Sequence, residues 1–513
     1  MPIVVSCSCG GRFQAPDSMA GRSTPCPVCR VPLVVPTPNA LDAIDASTLT
    51  ASSTAPLSGM PAPQPTPWHV RSGPWLKVAL PLSCITAVIG ILVLLAFVLF
   101  NRWSQPSEAV DVTLVGLSAS GKPTTVEEWD MAYALPAGVA DETSLWVQAS
   151  QAAANANRNS RLAIIGTSSD VPSPPKAWGQ FDQARKFMED HQGSLTSVYK
   201  AAEAGGSACY PMNFSGGHIQ VDLQHVEKFR AVPRLLLLDA WVHSHQDQAP
   251  GVAKSLSAAV RSVAALQYEP IMTTQVTRAG MLTTFAKQSE RLLNCTHFTD
   301  EALVRIQQDL RRLDFTQPFW RSIDSDRLHG ILLHQNPDLV ESTLPNNQRS
   351  HAYFLQKMAE ISQYEGQPWH IVLPALQEIE VSYTTESETI TQRLAHGFAT
   401  LHLPILDVPA TAMARATAQR DILDVGIACL RYQQVNGHSV ESLETLVPEY
   451  LPQVPADPFD GLPLRLRQTD QYLLVYSIGV NGADELGNSG NLYSDDADDM
   501  ILELKKPASG LSN

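Results

Sequence analysis

The sequence predicts a multi-domain chain: a small zinc ribbon, one transmembrane helix, a mainly α-helical, repeat-like body and a small α+β C-terminal module. Three observations lead there. Two close cysteine pairs stand within the first 30 residues. Residues 78–100 (VALPLSCITAVIGILVLLAFVLF) hold no charged side chain. Most of the remainder repeats its apolar residues at helical spacing. At 513 residues the chain also exceeds what one core supports, and length alone suggests about three folded units.

The cysteines come first in the chain. Cys7-Ser-Cys9-Gly10-Gly11 and Cys26-Pro-Val-Cys29 place four thiolates on two tight turns, flanked by β-prone residues 3–5 and 31–35. Zn²⁺ takes four tetrahedral N or S ligands, and a fragment of ~35 residues has too little core to fold unaided. Cys7, Cys9, Cys26 and Cys29 are therefore the expected zinc ligands, with disulfides as the alternative. Residues 36–74 are rich in Pro, Ser, Thr and Ala, a composition that makes an extended tether.

A 23-residue uncharged run spans about 35 Å as a helix, enough to cross a hydrocarbon core of roughly 30 Å. Residues 76–101 are read as a signal anchor, too far from the start for a cleaved signal peptide. Arg71 and Lys77 before the run nearly balance Arg102 and Lys122 after it, so loop charge does not orient it. Thiolate ligands need a reducing compartment, which puts the N-terminus in the cytoplasm and the body outside it. The expected location is a cell inner membrane, crossed once. The first 100 residues hold five basic and three acidic groups, so the net −15 of the chain becomes −17 beyond the run. Such a body repels nucleic acid, and protein partners are expected instead.

From residue 103 to 409 the pattern predicts helices at 142–154, 181–190, 222–245, 252–266, 274–293, 300–313, 352–363 and 389–400. In 222–245 a single apolar stripe runs through Val226, Phe229, Val232, Leu236 and Ala240, with a bend expected at Pro233. The Ala-rich 252–266 should lie antiparallel beside it. Residues 112–115 look β-like, and Gly116 to Lys122 match the first seven positions of a phosphate-binding loop. Pro123 stands where that loop needs Ser or Thr, so the segment is read as a turn. His243-Ser-His245 is the only close histidine pair, and residues two apart on a helix face differently. Cys209 and Cys295 could pair in an oxidising space; Cys429 reads as core.

Residues 410–505 change character. A long helix at 410–434 should end at Asn436-Gly437, a natural left-handed cap. A short helix at 440–446 and strands at 464–467 and 472–478 follow, the strands joined through Thr469-Asp470. Residues 479–499 form a Gly- and Asp-rich loop. Asn481, Asp484, Asp496, Asp498 and Asp499 offer hard oxygen ligands suited to calcium; a solvated acidic loop is the alternative.

Two resemblances add to this. Cys7, Cys9, Gly10, Phe13, Pro16, Ala20-Gly21, Cys26-Pro27-x-Cys29 and Pro32-Leu33 resemble the N-terminal zinc-ribbon segment of planctomycete membrane proteins, which implies a bacterial envelope setting. Leu443-x-x-Leu446, Pro455-x-Asp457-Pro458-Phe459-x-Gly461-x-Pro463-Leu464, Tyr476-Ser477-x-Gly479-x-Asn481-Gly482 and Asp496-Ala497-Asp498 resemble the globular end of the type II secretion major pseudopilin. That resemblance implies a calcium loop containing Asn481, Asp496 and Asp498. The pseudopilin leader and its N-terminal filament helix have no counterpart here. The expected role is a non-enzymatic envelope scaffold or adaptor. The alternatives are a membrane-tethered extracytoplasmic hydrolase and an accessory component of a secretion machine.

Overall fold

The computed structural model describes residues 108–507 apart from 166–169, 341, 343–345, 386–389, 489 and 494–497, together with Gly90 and four short strands near the start. Two units are distinguished, Met1–Thr86 and Ala87–Asn513.

In the first unit β1 (Ile3–Ser6) pairs antiparallel with β2 (Arg12–Ala15), and β3 (Ser23–Pro25) with β4 (Pro32–Val34). Each cysteine pair thus falls in the connection of one hairpin. The four cysteines themselves, the tether at 36–74 and the apolar run at 78–100 lie outside the described residues, Gly90 excepted. Among the described residues no helix is long and apolar enough to cross a membrane.

The second unit is mainly α-helical and ends in a three-stranded sheet. The helix α1 (Glu108–Ala119) overturns the β-like reading of 112–115 and takes in part of the segment read as a turn. The β-branched run is short, and Leu114 and Leu117 pack inward from it at helical spacing. Ser120 and Gly121 make the turn that follows, with Gly121 at φ +78°.

After α2 (Val126–Tyr133) come α3 (Thr143–Asn157), α4 (Phe181–Asp190) and α5 (Gln192–Ala204). The stripe expected at 222–245 is two helices, α6 (Gln224–Phe229) and α7 (Ala231–His245). The break precedes Pro233 because a proline ring clashes with the carbonyl four residues back, here that of Phe229. Pro233 then sits in the first turn of α7, where its missing N–H costs nothing. Next, α8 (Ala249–Ala264) packs along α7, with Gly251 against the His243 ring.

The body continues with α9 (Met272–Leu293), α10 (Asp300–Arg311), α11 (Thr316–Gln335), α12 (Gln348–Ser362), α13 (Trp369–Thr385) and α14 (Ile390–His402). Two of these, α11 and α13, are absent from the sequence-based expectation.

The 30-residue α15 (Asp407–Asn436) joins body to sheet. It ends as expected at Gly437, with φ +76°. Along its length it packs on α9, α10, α11 and α13, and on β6 (Tyr472–Ser477) and β7 (Met500–Lys505). Gly426 makes this approach close: a Cβ there would lie 2.2 Å from Leu502 Cδ2. Charge pairs fix its register on α10: Arg311 Nε–H is shared between the two Asp424 oxygens at 2.8 and 3.0 Å, and Arg431 is bidentate to Asp300 at 2.7 and 3.2 Å.

The sheet order is β5 (Arg465–Gln468), β6, β7, all antiparallel. The outer flank of β7 meets side chains of α9. Glu503 N–H donates to Glu290 (3.0 Å), Lys505 N–H donates to Asn294 Oδ1 (2.7 Å), and Asn294 Nδ2 donates to Glu503 C=O (2.6 Å). Cys209, Cys295 and Cys429 are free thiols, the last buried in α15 as expected.

Gly330 on α11 tests the packing. A Cβ there would lie 2.0 Å from the buried Phe354 ring of α12. Gly330→Ala gains up to about 1 kcal/mol of helix propensity and loses about 1–3 kcal/mol to overpacking. A net loss of stability is expected in denaturant melts of the full chain.

Candidate functional site

Polar chemistry concentrates where the 3₁₀ turn Gly217–Gln220 meets α11, with histidines of α12 and α14 further in. Gly217 has φ +63°, and a Cβ there would lie 2.2 Å from His329 Nδ1, so glycine alone fits. The His218 N–H donates to His329 Nδ1 at 3.1 Å, which leaves the His329 proton on Nε2. The two rings stack at 4.7 Å, and His218 Nε2 lies 2.7 Å from Ser325 Oγ. On its other side His218 Nδ1 is 3.4 Å from Asp326 Oδ1.

Further in, His334 donates from Nδ1 to the Gly330 carbonyl (2.8 Å) and stacks on His351 at 4.7 Å. His402 lies 6.2 Å from His329 and 4.7 Å from Phe398. Burial holds these rings neutral. His218 and His334 are pushed down to about 3, and His329 and His351 to about 4. Burial acts oppositely on Asp326, whose carboxyl is pushed up to about 7.

Ser325, His218 and Asp326 follow the order of a nucleophile, a base and an orienting carboxylate. The surroundings do not serve that chemistry. Ser325 is 0 % exposed and sits inside a helix, so no substrate carbonyl reaches its hydroxyl. The His218 N–H, which could have faced an oxyanion, is already spent on His329. The arrangement pins the 217–220 turn to α11. The cluster is invisible in sequence because it draws on the 217–220 turn, α12 and α14 as well as α11; only Ser325, Asp326, His329 and His334 share one helix.

The C-terminal loop corrects the calcium expectation. Among the described residues no group of three or more His, Cys, Asp or Glu could hold a metal ion. Arg465 draws one of the expected ligands, Asp484, into a guanidinium cluster with two carboxylates of the 457–460 turn. It donates to Asp457 (2.9 Å), Asp460 and Asp484 (3.2 Å). Asn481 turns away, accepting from Ala483 N–H and donating to Glu485. Asp499 is buried, accepts from Gly487 N–H at 2.8 Å and is pushed up to about 6 by burial, with Glu485 beside it. Asp498 has a partner of its own, and Asp496 lies outside the described residues.

His243 and His245 diverge as their spacing requires. His243 Nδ1 meets Gln248 at 2.7 Å, while His245 Nε2 donates to the Pro172 carbonyl at 2.9 Å.

Two open grooves flank the sheet module. One, of about 630 Å³, is lined by Leu373 and Pro374 of α13, Val408 and Arg415 of α15, and Phe459 and Val480. The other, of about 420 Å³, lies where α9 meets β7 and includes Glu290, Arg291, Tyr493 and Lys505. The buried histidines line neither. In comparisons with known proteins, no family model, no curated protein and no solved structure matches the chain.

The histidines give a pH test. A group depressed in the fold contributes stability that is present above its unfolded value, near 6.5, and lost as pH falls. His334→Asn should remove that dependence at one site. Relative to wild type, the variant should gain about 2 kcal/mol between pH 8 and pH 5, read from urea melts at both values.

Proposed function

We propose that the chain is a membrane-anchored, non-enzymatic envelope scaffold, with the helical body as its contact surface. The observation that carries this reading is that the buried histidine cluster lines neither open groove. The cluster is buried at the 217–220 turn, whereas the larger groove is mixed, with Leu373, Pro374, Val408, Ala412, Phe459 and Val480 beside His370, Asp407 and Arg415. An enzyme would gather its reactive groups in the pocket that admits substrate. Anchoring rests on the uncharged run 78–100, and the cytoplasmic zinc ribbon on Cys7, Cys9, Cys26 and Cys29. The placement of each cysteine pair between paired strands supports the ribbon. A long helix followed by a three-stranded antiparallel sheet supports the likeness of the C-terminal module to a pseudopilin head.

The hydrolase reading draws on one observation, the Ser325–His218–Asp326 contact, and the burial of Ser325 weighs against it.

Val408, 68 % exposed in the larger groove, tests the contact surface. Val408→Glu should abolish cross-links that wild-type protein forms in intact cells, with unchanged circular dichroism. An unaltered cross-link pattern, or labelling of Ser325 by a fluorophosphonate, counts against a scaffold. Elemental analysis of the purified full chain should return zinc, and Cys9→Ser with Cys26→Ser should remove it.

A further inference from the structure

Helix α1 is apolar on two opposite sides. Val110 is buried, and Leu114 and Leu117 pack against the main core beside α12. Away from that contact, Val112 and Val115 are 71 % and 70 % exposed, and Gly116 and Ala119 are exposed with them. Positions 112, 115, 116 and 119 fall on one helical stripe, which Glu108 closes at the start of the helix. Among the described residues nothing lies against this stripe at Gly116, where a Cβ would meet no atom within 4 Å. A surface helix of a water-soluble domain presents polar residues on that side.

Chain length says what lies nearby. Seven residues, Asn101 to Ser107, separate the end of the uncharged run from Glu108. Fully extended they reach at most about 25 Å, so α1 cannot leave the neighbourhood of an anchored run. Arg102 and Trp103 are residue types that settle at a bilayer interface. A second copy of the chain is a poorer occupant. Two valines, a glycine and an alanine fall far short of the roughly 1,200 Å² that a stable protein interface buries. A bilayer needs no such area, because the tether keeps the helix at high local concentration.

We propose that the Val112–Val115 face of α1 rests on the membrane surface, laying the first helix of the body against lipid. The inference rests on the anchor reading of 78–100. The acidic balance of the body selects zwitterionic lipid, since anionic headgroups would repel it. Val112 and Val115 enter the headgroup boundary, while Asp111 and Ser118 flank the stripe from the exposed shoulders of the helix.

The test uses the full-length chain in phosphatidylcholine vesicles, with an environment-sensitive fluorescent amino acid introduced at position 115. A second preparation carries it at 112, and a control at Val435, exposed on α15. Nitroxide-labelled lipid should quench emission at 115 and 112 several-fold more than at 435. Equal, water-like emission at all three positions in protein that floats with the vesicles overturns the proposal and leaves the anchor intact. A blue shift at 115 that follows protein density and not lipid quencher assigns the face to a second copy, and also overturns it. Protein that fails to float with the vesicles removes the anchor reading, and the proposal with it.

Discussion

The second unit depends on the burial of α15. Sixteen of its residues, among them Met413, Ile422, Leu423, Val425 and Cys429, are buried, and body helices and sheet meet on it from different sides. A helix enclosed in this way cannot keep a single polar face, and its few charges must be paired where they stand. Asp424 finds Arg311, and Arg431 finds Asp300. These charge pairs fix the helix against α10, and Gly426 removes the one side chain that would hold β7 away. The sheet, which at three short strands is near the minimum for stability, borrows its core from α15.

The same economy of charge explains the C-terminal loop. Carboxylates brought together from the 457–460 turn and the loop after β6 favour a cation between them, and a metal ion or a guanidinium will serve. Arg465, on the neighbouring strand, reaches Asp457, Asp460 and Asp484 together. The acidic residues are conspicuous in sequence because they cluster. Arg465 is not, because its proximity is created by the β5–β6 hairpin.

What could be read in advance follows from range. Helices 181–190, 274–293 and 300–313 and the cap at Gly437 rest on local spacing and local stereochemistry, and each lies within a few residues of its place. The break before Pro233 depends on a carbonyl four residues away, and it shifted accordingly. Residues 112–115 failed because three β-prone side chains outweighed a helical pattern that only the contact with α12 makes decisive. The histidine cluster was beyond reach altogether. Residues 218, 325, 329, 334, 351 and 402 have no common period, and their meeting is a property of the packed helices alone.

The side-chain cover on β7 has one more effect. With Glu290 and Asn294 occupying the bonding groups of Glu503 and Lys505, an incoming extended peptide finds those ladder positions already taken. Helix α9 thus acts as a side-chain cap on this stretch of β7, and strand addition there would first have to displace Glu290 and Asn294.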